Sequence, residues 1–165
     1  KYRNTRNNKT MRKILFRGRD GTGKWHEGNL IVVNVKKPVQ KDVAPYKEYY
    51  IKGQAFGSVE KEVDPETIGQ LVSPATEYHP EIWEGDIIED KDGYRMKVMH
   101  DPYRRTFNVI TNSISGLGYE ALDDGYLHFK FKNRGAKVVG NIHDNPELFR
   151  EPLTFCEYAP KGQTN

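Results

Sequence analysis

The chain has 165 residues, 36% of them from the AVILMFWYC set, with ten tyrosines and seven phenylalanines. That length suits one domain or two small ones, and a chain this aromatic is not a disordered one. The net charge of +3 invites a nucleic-acid reading, the single Cys156 excludes an internal disulfide framework and a Cys-rich zinc site, and no apolar run is long enough to span a membrane.

The charge is unevenly placed. Residues 1–10 hold Lys1, Arg3, Arg6 and Lys9 and no acid, whereas residues 81–165 are net acidic. The basic excess therefore lies mostly in a polar leader, expected to be disordered. Lys13-Ile14-Leu15-Phe16-Arg17 signals a strand, Gly18 to Gly23 a turn, and Leu30-Ile31-Val32-Val33-Asn34-Val35 a second strand, which together predict a hairpin. Lys36 to Pro45 reads as a loop, and Tyr49-Tyr50-Ile51 as a third strand. Asp64-Pro65-Glu66 has the residues of a helix start: a capping acid, a proline at the first position and a glutamate at the positive end. With Gly69 following, only one or two turns are expected, and Ser73 to Pro80 is the expected boundary between sub-parts at about 11–78 and 79–149.

In the second half Ile87-Ile88 opens a strand, Lys91-Asp92-Gly93 makes a turn, and Tyr94, Met96 and Val98 alternate toward one face. Phe107 to Ile110, Leu127 to Lys132 and Lys137 to Ile142 are read as further strands, and Asn145-Pro146-Glu147 as another short helix start. Residues 150–165 form a weakly patterned tail. The expectation is a mainly β protein with bent antiparallel sheets, one or two short helices, and an SH3-like small barrel over 81–143. Its core is expected to be thin and helped by half-buried tyrosines. Trp25-His26-Glu27-Gly28-Asn29-Leu30 also echoes Trp83-Glu84-Gly85-Asp86-Ile87, a duplicated unit or the same chemistry reused where a strand opens.

Few motifs carry chemistry. Gly18-Arg19-Asp20-Gly21-Thr22-Gly23-Lys24 fits seven places of a phosphate-binding loop, but Trp25 stands where the magnesium-binding hydroxyl belongs and a β-type segment follows. His26, His79, His100, His128 and His143 form no metal-ligand spacing. Glu84, Asp86, Glu89, Asp90 and Asp92 are acids a metal-dependent hydrolase would use, though turns between strands call for the same residues. No catalytic residue, metal ligand or cofactor site is therefore assigned. Tyr103, Arg104 and Arg105, with Lys130 and Lys132, mix cations and aromatics and are the expected contacts with a partner or nucleic acid.

Four segments resemble the YopX family of phage- and prophage-encoded proteins. Met11 to Gly18 with Gly23-Lys24-Trp25 and Gly28-Asn29-Leu30-Ile31 is similar to its opening. Asp64 to Gln70 is similar to its middle motif, Ile82-Trp83-Glu84-Gly85-Asp86-Ile87-Ile88 to its strand opening, and Val138 to Leu148 to its closing signature. Ser73 to Pro80 departs from the Gly- and Lys-rich loop usual there. The resemblance implies a β-rich fold with an SH3-type portion and a natural start at Met11, and it carries over no reaction and no functional residues. The expected function is that of a non-enzymatic phage accessory protein in the bacterial cytoplasm, without cofactor or membrane. It would bind a protein partner or, as the alternative, nucleic acid, with self-association left open.

Overall fold

The computed structural model describes residues 14–35, 46–113 and 116–149; the expected leader, the loop 36–45 and the tail lie outside them. The chain divides into two compact units, Lys1–Gln70 and Leu71–Asn165.

In the first unit, β1 (Phe16–Arg19) and β2 (Trp25–Val35) form the expected hairpin, with Phe16 opposite Gly28 and Arg19 opposite Trp25. β3 (Tyr46–Lys52) pairs antiparallel with β2, and β4 (Glu60–Glu62) with β3. On the other side of β1 lie Gly69 and Gln70, the first residues of β5 (Gly69–Ser73). Between β4 and β5, Asp64 caps a 3-10 turn at Pro65–Thr67, its side chain accepting from the Glu66 amide at 3.0 Å. The expected helix start is thus present but makes a single turn, and Gly69 begins a strand instead. Leu15, Ile51 and Val63 are the buried apolar side chains described in this unit, a thin core. Gly28 sits so close to β3 that a Cβ there would lie 2.0 Å from the Lys52 carbonyl oxygen.

The second unit contains the rest of β5, paired with β6 (Ile82–Trp83), and a five-stranded antiparallel sheet. Its strands are β7 (Asp86–Glu89), β8 (Arg95–Asp101), β9 (Thr106–Ser113), β10 (Gly116–Ala121) and β11 (Lys137–Asn141), ordered β10-β9-β8-β7-β11. Both faces of this sheet are covered. One bears Ile88, Met96, Val98 and Val109, packed with Ile82, Leu127 and Phe131. The other bears Ile87 and Ile110 against Phe149, with Met99, Val139, Ile142 and Leu148 around them. A strand buried on both faces needs consecutive apolar residues, which accounts for the pairs Ile87-Ile88 and Val109-Ile110. Each such side chain fully withdrawn from water contributes roughly 1.5–3 kcal/mol.

One expectation is not confirmed and another is corrected. Among the described residues neither sheet closes on itself, so the SH3-like barrel expected over 81–143 is not found; β10 and β11 pair with no further strand. Leu127 to Lys132 is not a strand. It is the helix α1 (Asp124–His128) continued by a π-helical turn at Phe129–Asn133. The Asp123 side chain accepts from the Tyr126 amide at 2.7 Å and starts the helix. The burial then follows helical spacing: Leu127 and Phe131 are buried, while Phe129 is 52% exposed.

The two echoing segments use their shared letters differently. Gly28 lies within β2, where its lack of a side chain admits the neighbouring strand. Gly85 makes a turn at φ 86°, and the Asp86 carboxylate closes it by accepting from the Trp83 amide at 2.8 Å. Trp83 is buried, whereas Trp25 is only half-buried, with the guanidinium groups of Arg17 and Arg19 against its ring.

Candidate partner-binding groove

The turn joining β8 to β9 is built on Asp101. Its Oδ1 accepts from the backbone amides of Tyr103 at 2.9 Å and Arg104 at 3.0 Å. Its Oδ2 accepts from the buried Asn108 side chain at 3.2 Å, and its carbonyl from the Arg105 amide at 2.8 Å. The Arg104 amide, then that of Tyr103, holds the Asp101 carboxyl below the usual carboxylate range against the opposing effect of burial. The carboxylate is thus used within the turn, and the next side chains are turned outward. Tyr103 is 95% exposed, and Arg104 is exposed with its Nε 3.9 Å from Asp101 Oδ2. Arg105 has φ 55°, the left-handed region that glycine and asparagine favour.

An open groove of about 370 Å³ runs beside this turn, lined by Met99, Asp101, Pro102, Tyr103, Arg104 and Tyr119. Tyr119, half exposed, comes from β10, where it stands opposite Ile110. Two exposed tyrosines and an arginine therefore line the groove together with Met99, next to an edge strand.

Of the five residues expected as contacts, Tyr103, Arg104 and Arg105 lie together at this turn. Lys130 and Lys132 do not join them. Lys130 Nζ stands 3.8 Å from the buried carboxylate of Asp90 and over the Tyr126 ring. Asp90 holds the β7–β8 turn, accepting from the amides of Asp92 and Tyr94. That turn is at the far end of β8, seven residues long, so about 20 Å from Asp101 at strand rise. Lys132 Nζ lies 4.7 Å over the Tyr78 ring, which also meets the His128 ring edge-on. Tyr78 and His128 line a second hollow of about 410 Å³ with Thr76, Glu77, His79 and Asp124. It includes the segment 73–80, where the sequence departs from its family resemblance. A hydrogen bond to Glu77 raises the Tyr78 hydroxyl above its ordinary pKa.

Sequence reading missed Tyr119 and Met99. Leu117, Tyr119 and Ala121 alternate and mark a strand, but the interleaved Gly116 and Gly118 dilute the signal.

The other sites of interest are taken up by the fold. In the glycine-rich turn 18–24, Asp20 accepts from the Thr22 and Lys24 amides, the Thr22 hydroxyl and the His26 ring at 2.7 Å. Of the acids between Glu84 and Asp92, Glu89 pairs with Arg95 at 2.8 Å, Asp92 with Arg134, and Asp86 and Asp90 hold their turns. Among the described residues no three of His, Cys, Asp and Glu are grouped to hold a metal ion. No described helix is long and apolar enough to cross a membrane.

The family model described as YopX protein matches residues 15–150. No curated protein matches the chain.

Proposed function

The chain belongs to the YopX family, and we propose that it acts as a non-enzymatic binding module of a phage or prophage, holding a protein partner at the β8–β9 turn. The observation that carries this reading is the pair Tyr103 and Tyr119, both exposed, lining one groove together with Met99. Tyrosine and arginine are the side chains most enriched at the centres of protein interfaces, and methionine adapts to varied apolar partners. Beside the groove, β10 is an edge strand of six residues in unbroken register with β9. Its backbone donors and acceptors suit the addition of an extended segment. The edge strand β4 differs: it is three residues long and wholly charged, a composition that resists pairing.

The nucleic-acid alternative requires a continuous cationic track. Lys130 is engaged by Asp90 at the far end of β8 from Arg104 and Arg105, which supports the protein reading.

The test is affinity capture with the whole chain and with Tyr103→Ala combined with Tyr119→Ala. The expected result is a host or phage protein retained by the first and lost by the second, with equal melting temperatures. Salt-sensitive retention of single-stranded DNA or RNA, with no protein lost on substitution, would overturn it.

A further inference from the structure

Resting on that reading of the groove, we infer that the segment it receives is acidic and that Arg105 is the residue that recognises its charge. Arg105 is the one described residue other than glycine with positive φ. Its amide closes the turn onto the Asp101 carbonyl, so the conformation is imposed by the hairpin. Glycine fits that position without the clash between Cβ and backbone that arginine suffers, and asparagine offsets the clash by hydrogen-bonding the local backbone. The side chain does not repay this strain inside the protein: it is exposed, with no partner among the described residues. Strain retained at an exposed position points to a use outside the fold.

Charge complementarity identifies the occupant. Asp101, the acid nearest in sequence, is engaged by two backbone amides and Asn108. Glu120 alternates to the face of β10 opposite Tyr119, where it acts on Tyr126. Arg104, which lines the groove, has Asp101 Oδ2 at 3.9 Å, whereas Arg105, next to it in the same turn, adds an exposed guanidinium that no described carboxylate neutralises. Guanidinium forks bind carboxylates in pairs of hydrogen bonds. The apolar Met99 side chain and the β10 backbone edge match an extended peptide rather than a sugar-phosphate chain.

The experiment selects a phage-displayed library of random twelve-residue peptides on the whole chain, then measures the recovered peptides by fluorescence anisotropy. Recovered peptides should be enriched in Asp and Glu. Their affinity should fall by about tenfold or more in Arg105→Asn, while the melting temperature stays equal or rises, because asparagine relieves the backbone. Arg105→Lys should fall between the two. Peptides without acidic bias, still lost on Tyr103→Ala with Tyr119→Ala, would overturn the inference and leave the groove as the binding site. No recovered peptide, or peptides indifferent to both tyrosines, would overturn both. A twenty-residue oligothymidylate bound by the whole chain and released by Arg105→Asn would reassign Arg105 to phosphate and overturn the inference.

Discussion

Lys130 and Asp90 form an ion pair of 3.8 Å in which the carboxylate is almost wholly withdrawn from solvent. Asp90 also has Arg134 at 3.9 Å and two backbone amides, so it is the centre of a small network joining the β7–β8 turn to the segment after α1. The pair makes Lys130 part of the fold. Lys130→Met is expected to lower stability by about 1–3 kcal/mol, with Arg134 keeping the loss below that of an isolated buried charge. Urea denaturation measures this. Unchanged stability would return Lys130 to the surface.

The helical reading of residues 124–133 makes a contrast that a strand would not. Leu127→Ala should cost about 2–5 kcal/mol and Phe131→Ala about 3–5 kcal/mol, since both are in the core. Phe129→Ala should cost under about 1 kcal/mol, as expected for a half-exposed side chain. Equal losses at 127, 129 and 131 in denaturant titrations would restore the alternating strand.

Gly28 is expected to resist every substitution. A methyl group there would meet the Lys52 carbonyl oxygen at 2.0 Å, and that oxygen belongs to the backbone of β3 and cannot swing away. Gly28→Ala should lower stability by about 3 kcal/mol or more, or prevent folding. Gly21, with nothing within 4 Å of its added carbon, is the control, and Gly21→Ala should be close to silent in the same thermal melt.

Acid should unfold the protein through a small set of carboxylates. The Thr22 hydroxyl and the His26 ring hold Asp20 well below the usual range; Arg95 lowers Glu89, and the Arg104 amide lowers Asp101. Because these groups bind protons more weakly folded than unfolded, their contribution is fully present above the ordinary carboxylate range. It is lost as pH falls through the lower folded values. Stability should therefore be level near neutrality and drop below about pH 4. Asp20→Asn should flatten that drop in melts between pH 2 and 7; an identical profile would show that Asp20 plays no part in it.

Much of the fold was legible because turns announce themselves. The hairpin about Gly18–Gly23, the turn at Lys91-Asp92-Gly93 and the cap at Asp64 each follow from local chemistry that packing does not override. The segment Leu127-His128-Phe129-Lys130-Phe131-Lys132 satisfies two periods at once: alternation pairs Leu127 with Phe129 and Phe131, and helical spacing pairs Leu127 with Phe131 alone. Asp123, upstream of the run, decides between them as a cap. β4 was hidden because Glu60-Lys61-Glu62 has no apolar residue and becomes a strand only through pairing with β3. Two of the residues lining the candidate groove, Tyr103 and Arg104, were visible within Tyr103-Arg104-Arg105. Tyr119 was not, because only the β9–β10 pairing brings it to the turn.

The pairing of Phe16 with Gln70 has a consequence during synthesis. β1 can fold against β2 as soon as that hairpin leaves the ribosome, but its other side stays open until β5 is made. At ordinary translation rates of about 5–20 residues per second, the stretch from Val35 to Gln70 takes roughly 2–7 s. A nascent chain therefore displays one open edge of β1 for seconds, and a product terminated before Gln70 displays it permanently. Such truncated chains should be held by chaperones or removed by proteases, which would make the start of β5 the earliest point at which the first unit can be released as a finished sheet.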